Sequence, residues 1–364
     1  MRRLLHIVSL VVVALLTACN TAPTVRDTEP LYTPRYASGF EIVRERASGQ
    51  TLLCVKNPWQ GAENVVYYTP FDPATPPQRI VAMSSSHVAM LDAVGCTDRI
   101  AAISGCRYIS TPSARRLIDE GRIVEAGYDT AFNFEQVKAI AADLVLLYGV
   151  GGESKILLDK LRELDIPYLY IGDYLEESPL GKAEWLVAIA YLCGRSEEGE
   201  HLFAEIEQRY TTLRDTQHCS AYRPRVMLNL PYNDSWFMPP LSSYAVRLIE
   251  DAGGEYIYRK NSSKASKPIS LEEALLLASQ ADFWLNLSQI ETIEELRRVV
   301  PHFTSTEVVR FGRIYNNTKR NTASGGSDFW ESGAIRPDLV LADLVKILHH
   351  EAPTDSLYYY KQLK

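Results

Sequence analysis

Residues 178–215 read SPLGKAEWLVAIAYLCGRSEEGEHLFAEIEQRYTTLRD, a helical stretch from end to end. Ser178 fits an N-cap and Pro179 the first helical position, where its missing N–H costs nothing. Trp185, Ala188, Ile189, Leu192 and Cys193 follow at i, i+3, i+4, i+7 and i+8, one apolar face of an amphipathic helix. Beyond Gly194 the face resumes at Phe203, Ile206, Tyr210 and Leu213. If nearly continuous, such a helix would reach roughly 50 Å at 1.5 Å per residue, longer than one small domain is wide. It would then be a spine between two lobes; two ordinary helices broken at Gly194 are the plainer alternative. The sequence on either side decides between them.

Both sides alternate short apolar strands with amphipathic helices, the pattern of a parallel sheet covered on both faces. Before the spine come strands at 80–83, 99–103, 144–148 and 168–171, with helices at 88–94, 134–141 and 155–164. After it come strands at 225–230, 283–287 and 313–316, with helices at 244–251, 272–278, 296–300 and 339–350. The halves also match in detail. Asn133-Phe134-Glu135 precedes Ala142-Asp143, as Ser270-Leu271-Glu272 precedes Ala281-Asp282. Arg79-Ile80-Val81 leads to a helix ending at Gly95, as Arg225-Val226-Met227 leads to one ending at Gly254. The fold class expected is therefore α/β: two doubly wound lobes joined by a long backbone helix, with a cleft between them. The runs 39–43, 51–55 and 65–68, divided by Gly, Pro and Asn, add an antiparallel β extension to the first lobe.

With 364 residues, 46% of them hydrophobic and 23% charged, the chain suffices for two soluble domains. Arg2 and Arg3 precede an apolar run from Leu4 to Leu16, a secretory signal too short for a confident membrane span. Leu16-Thr17-Ala18-Cys19 resembles the bacterial lipobox, which implies cleavage before Cys19 and lipid on its thiol and new amino group. The divisions expected are signal 1–18, tether 19–38, first lobe 39–177, backbone helix 178–218 and second lobe 219–364. Loss of residues 1–18 leaves 36 basic against 45 acidic residues, a net −9. An acidic surface without basic runs argues against nucleic acid as a partner. Five cysteines follow Cys19 with no C-x-x-C, so a zinc ribbon or thioredoxin motif is excluded. The compartment permits a disulfide, but the sequence does not show one.

The order and spacing of these words resemble the class III, helical-backbone substrate-binding proteins of ABC importers, from about Arg79 to the C-terminus. The marks are Arg79-Ile-Val-Ala-Met-Ser, the Asn133 and Ala142-Asp143 runs, and Gly325-Gly-Ser-Asp328-Phe-Trp-Glu331 leading to Arg336-Pro-Asp338. Asp234-Ser-Trp236-Phe-Met-Pro and Ile314-Tyr-Asn-Asn317 resemble lipoprotein members from Bacteroidales-type bacteria. Ala142 departs from the proline usual before that aspartate. The resemblance implies a monomeric lipoprotein of the periplasmic space, anchored to the cell membrane, that binds a ferric siderophore, haem or a corrinoid and is not an enzyme. It implies ABC permease subunits as partners and no resident cofactor or metal. It also implies that one glutamate per lobe, Glu135 and Glu272, docks on permease arginines. Both glutamates also fit helix starts, with Asn133 and Gln136, and Ser270 and Glu273, as capping pairs.

A large ligand in such a fold is gripped at strand C-termini. This selects Ser86, His87, Arg107, Tyr108 and Tyr148 in the first lobe, and Trp236, Tyr244, Arg320 and Trp330 in the second. Aromatic rings offer faces to a macrocycle or catechol, and the arginines suit an anionic ligand. Core packing is the alternative for each aromatic, and a satisfied turn histidine for His87. Tyr148-Gly-Val-Gly151-Gly152 lacks the lysine of a phosphate loop and reads as a turn. An enzyme using the same cleft is disfavoured, because adjacent Ser86 and His87 diverge and no G-x-S-x-G elbow is present. A free-metal receptor needs converging His and carboxylate ligands, and only His87 is placed for that. A surface carrier passing ligand to an outer-membrane receptor remains open.

Overall fold

The computed structural model describes residues 26–152, 154–217, 222–349 and 356–364. The signal segment and Cys19 lie outside them. Among the described residues no helix is long and apolar enough to cross a membrane.

The chain opens with an antiparallel sheet of β1 (Thr28–Tyr32), β2 (Phe40–Glu45), β3 (Thr51–Lys56) and β4 (Val66–Phe71), in that order. The first strand corrects the expected tether, whose residues 28–38 are built into the fold. Two buried carboxylates hold them there. Glu184 accepts the Tyr32 hydroxyl and the N–H groups of Arg35, Tyr36 and Ala37, each at 2.8 Å. Glu176 accepts Ser38 N–H and Gly39 N–H at 3.0 and 2.9 Å, and Trp185 Nε1–H at 3.0 Å. Sites this dry need every lone pair matched, and here the backbone matches them.

The first lobe contains β5 (Ile80–Ala82), β6 (Ile100–Ile103), β7 (Val124–Glu125), β8 (Leu144–Leu147) and β9 (Tyr168–Tyr170). They form one parallel sheet in the order β7-β6-β5-β8-β9. Helices α1 (Ser85–Ala93), α2 (Pro112–Asp119), α3 (Phe134–Ala139) and α4 (Lys155–Glu163) connect them. β5 and β8 are buried throughout, so they read as continuous apolar runs rather than alternating ones.

The helical stretch is two helices, α5 (Pro179–Leu192) and α6 (Ser196–Gln217), not one. Gly194 turns the chain with φ +71°, and a Cβ there would lie 2.5 Å from Pro73 O. Gly199 then packs on Ala190, where an added Cβ would meet the alanine Cβ at 2.2 Å. The helix α6 thus folds back along α5, and the 50 Å rod does not form. Every residue of α5 except Lys182 and Tyr191 is buried. It packs on the first lobe through α1 and on the second through helices introduced next, so α5 is shared between the lobes. A helix with a lobe on either side is mostly apolar around its circumference, and α5 departs from this only at Lys182 and Glu184.

The second lobe contains β10 (Arg225–Leu228), β11 (Ser235–Met238), β12 (Glu255–Tyr256), β13 (Lys267–Ser270), β14 (Phe283–Leu285), β15 (Ile314–Asn316) and β16 (Lys361–Gln362). Its main sheet runs β12-β10-β14-β15-β16, parallel except for β16, while β11 and β13 pair as a separate antiparallel ribbon. The helices are α7 (Tyr244–Asp251), α8 (Leu271–Ala278), α9 (Ile293–Val299), α10 (Glu307–Arg310) and α11 (Pro337–His349). Both α7 and α11 touch α5.

The repeat between the lobes has a physical basis. Asp143, just before β8, accepts the N–H groups of Gln78 and Arg79 that lead into β5, at 2.7 and 3.0 Å. Asp282, just before β14, accepts Arg225 N–H at the start of β10 at 2.8 Å. Each aspartate ties together the first edges of two adjacent parallel strands. Asn133 and Ser270 cap α3 and α8 by accepting Gln136 and Glu273 N–H at 3.0 and 3.2 Å, as their spacing predicts.

Candidate ligand-binding cleft

In an open α/β sheet a ligand sits beyond the strand carboxyl ends, where the strand order reverses direction. In the first lobe that point lies between β5 and β8, at Ser84–His87 and Tyr148–Gly152. In the second it lies between β10 and β14, at Asn229–Asp234 and Asn286–Ser288. Backbone strain gathers at the second point: Asn229, Asn233, Asn286 and Ser288 all have positive φ, between 53° and 67°. Non-glycine residues held there mark constrained turns that often serve function. Trp284 Nε1–H donates to Asn229 O at 2.8 Å, and the Tyr360 hydroxyl to Asn286 Oδ1 at 2.9 Å, which fixes both turns.

A small crevice within the second lobe lies at this point, lined by Leu228, Leu285, Asn286, Tyr244, Trp330 and Tyr360 among others. Two of the sequence-selected residues, Tyr244 and Trp330, therefore meet in one place. Trp330 is 54% exposed and stands edge-on to Phe329, with ring centroids 4.8 Å apart. Tyr244 is half-buried, and burial pushes its phenol well above the ordinary range.

The floor between the lobes is carried by α5. Lys182 Nζ lies 3.5 Å from Asp173 Oδ2 of the first lobe and 5.8 Å from the Tyr244 ring centroid of the second. Asp173 follows β9 and is fully buried, as is His87, whose Nε2 is 3.9 Å from Asp173 Oδ1. Neither His87 nitrogen and neither Asp173 carboxylate oxygen has a partner at hydrogen-bond geometry. Burial drives the His87 pKa down to about 4, with the Asp173 charge opposing, so the ring is neutral.

Direct lobe-to-lobe contacts close one edge. Glu331 of the second lobe accepts Ser110 N–H at 2.8 Å and Thr111 N–H at 2.7 Å, at the start of α2. Ser324 Oγ donates to Arg107 O at 2.5 Å. Gly326 lies so close to Tyr108 that a Cβ would come within 1.9 Å of the tyrosine carbonyl. Only glycine permits this approach. On another side Ser242 Oγ donates to Glu177 Oε1 at 3.0 Å.

Several sequence expectations need correction. Trp236 is fully buried; its Nε1–H donates to Leu228 O at 2.9 Å, and its ring packs on Trp284 and Phe303. It is core, not cleft. Ser86 is buried inside α1, its hydroxyl 2.9 Å from that of Ser84. His87 presents no ring edge to solvent. The remaining residues stay in reach of the cleft. Arg107 is exposed and lies over the Tyr108 ring at 4.7 Å; Tyr108 is itself 40% exposed. Tyr148 is half-buried against Tyr174, with centroids 4.7 Å apart. Arg320 is exposed, paired with Asp328 and placed 4.4 Å over the Tyr358 ring. Glu135 and Glu272 are both exposed in the first turns of their helices. Sequence reading missed Lys182, Asp173 and Glu331. Lys182 carried a signal: it is the one cation on a helix whose only other charge is the buried Glu184.

Two parallel α/β lobes facing a common cleft across a buried helix define a two-lobed ligand-binding protein. The chain belongs to the periplasmic binding protein family, whose model matches residues 80–320. That class consists of binding proteins rather than catalysts. An uncharacterised lipoprotein of Methanocaldococcus jannaschii is 25% identical over 288 residues, covering 76% of this chain and 66% of that protein. The chain thus spans just under two thirds of that relative's length. A periplasmic haem-binding protein from Pseudomonas aeruginosa shares the fold with a TM-score of 0.60 at 16% identity, over 79% of this chain and 98% of that one. A periplasmic vitamin B12-binding protein of Vibrio cholerae does so with a TM-score of 0.55 at 16% identity, over 76% and 98%. The fold is that of the helical-backbone substrate-binding proteins of ABC importers.

Proposed function

We propose that this chain captures an iron complex, a ferric siderophore or haem, between its lobes and delivers it to an ABC permease. A corrinoid is the second reading, favoured by the likeness to a vitamin B12-binding protein. The observation that carries the proposal is the aromatic pair at the β10–β14 reversal, half-buried Tyr244 and exposed Trp330, which meet over a small crevice of the second lobe. Arg107 and Arg320 at the cleft edges suit anionic groups on such a ligand. The histidine nearest the floor, His87, is buried and neutral, so the cleft suits a metal already enclosed by its own chelator.

Anchoring to the cell membrane through a lipid on Cys19 belongs to the same proposal; a relative named as a lipoprotein supports it. The whole would act as a monomer, docking through Glu135 and Glu272.

Tryptophan quenching and thermal shift with haem, ferric catecholates, ferric hydroxamates, cobalamin and free divalent metals test the reading. A ligand at a hundredfold its Kd should add about 2.7 kcal/mol of stability. Saturable binding of one chelate class, lost in Trp330→Ala, is expected. Binding by free metal ions alone would sink it.

A further inference from the structure

Two of the buried cysteines meet. Cys96 lies in the turn after α1, and Cys193 closes α5, which places them on different elements 97 residues apart. Their thiols interact with each other, and the Cys96 thiol donates to Val94 O at 3.6 Å. Two crossed arginines hold the segments together. Arg99 Nη1–H donates to Cys193 O at 3.0 Å, and Arg195 Nη1–H donates to Val94 O at 2.8 Å. Each guanidinium thus reaches from its own segment to the backbone beside the other thiol. Gly95 and Gly194, adjacent to the two cysteines, are exposed. The pair sits one residue below the surface in a tight double turn.

We propose that Cys96 and Cys193 form a redox-active dithiol that closes to a disulfide, fastening the first lobe to the shared helix α5. The oxidant is a small disulfide or the exposed disulfide of a thiol oxidoreductase. The Cys96 thiolate attacks one sulfur of that oxidant, forming a mixed disulfide and releasing one thiolate. Cys193 gives its proton to that thiolate and attacks Cys96 Sγ, releasing the second. Two protein thiols are oxidised, one external disulfide is reduced, and electrons and protons balance.

The surroundings assign the order of attack. The neighbouring Cys193 thiol, helped by the charges of Arg99 and Arg195, pulls Cys96 below the ordinary thiol range. The Cys193 thiol is pushed the other way, first by Cys96 and then by burial. A thiol beside cations, with a second thiol in contact, is the arrangement that favours exchange. Cys54 in β3 and Cys106 after β6 are buried singly, and burial raises both. They serve as internal controls.

The test uses the full chain, purified in mild detergent, reduced, and then exposed to oxidised glutathione. Denaturing alkylation and peptide mass spectrometry follow. A Cys96–Cys193 cross-linked peptide is expected, with Cys54 and Cys106 alkylated in the same sample. The oxidised form should unfold several degrees above the reduced one, because the bridge closes a long loop of the unfolded chain. In Cys193→Ser, a glutathione adduct should accumulate on Cys96. Equal alkylation of Cys54, Cys96, Cys106 and Cys193 after oxidation would overturn the proposal. So would adducts on Cys54 or Cys106 without one on Cys96.

Discussion

Glu331 Oε1 of the second lobe accepts the backbone N–H of Thr111 in the first at 2.7 Å, and both residues are buried. The same carboxylate takes Ser110 N–H and its hydroxyl, so a charge from one lobe sits on the N-terminus of a helix from the other. That position suits an anion electrostatically. Glu331→Ala would leave buried N–H groups unmatched and should cost about 3 kcal/mol, read by urea denaturation. It should also raise the radius of gyration by scattering, as the lobes part. Burial holds the Glu331 carboxyl above the usual range, despite its hydrogen bonds to Ser110 and Thr111. The folded state then takes up this proton at a higher pH than the unfolded chain does. Stability from this group is therefore lost as pH rises through that window, and Glu331→Gln should remove the slope.

His87 gives the opposite dependence. Its folded pKa of about 4 lies below the ordinary 6.5, chiefly through burial. Between those values the unfolded chain binds a proton that the folded ring refuses. Stability should fall as pH drops through that window, by up to about 3 kcal/mol. His87→Phe should flatten the acid limb of a stability–pH curve. An unchanged limb would place the acid sensitivity elsewhere.

Trp236 and Trp330 separate core from cleft. Trp236→Ala empties a fully buried site beside Trp284 and Phe303 and should cost about 3–5 kcal/mol. Trp330→Ala removes a ring that is 54% exposed and should change stability by no more than about 0.5 kcal/mol. Ligand affinity should follow the reverse order, measured by titration calorimetry.

The exposed pair Glu135 and Glu272 should report on docking. Their helices keep the caps Asn133 and Ser270, so Glu135→Ala with Glu272→Ala should leave the melting temperature within a degree or two. Ligand affinity should hold while uptake into cells drops. Unchanged uptake would remove both from the docking surface.

Glu184 anchors the N-terminal segment with four hydrogen bonds. Glu184→Ala should cost about 3 kcal/mol, since three part-buried N–H groups lose their acceptor. Limited proteolysis near Arg35 should be slow in the native protein and rapid in the variant. Persistent protection would mean that the β1–β2 pairing alone secures the segment.

The sequence by itself determined whatever is written in short-range pattern. Apolar runs such as Leu144–Leu147 dictate buried parallel strands, and the spacing of Asn133 to Gln136 and of Ser270 to Glu273 dictates caps. The likeness of the Asp143 and Asp282 neighbourhoods revealed two equivalent lobes, because each aspartate closes the same local loop. Tertiary structure decided the rest, where the relevant neighbour is far along the chain. Trp236 lies among polar residues and prolines, but its register opposite Ile269 in the β11–β13 ribbon turns it into the core. Gly194 permits either a kink or a reversal; the close fit of Gly199 on Ala190 makes it a reversal. Residues 28–38 have the composition of a tether, yet two carboxylates from beyond residue 170 satisfy their backbone and order them. Glu331 and Thr111 are 220 residues apart, and no local periodicity couples them. A buried carboxylate must find its donors in space, and only packing brings them there.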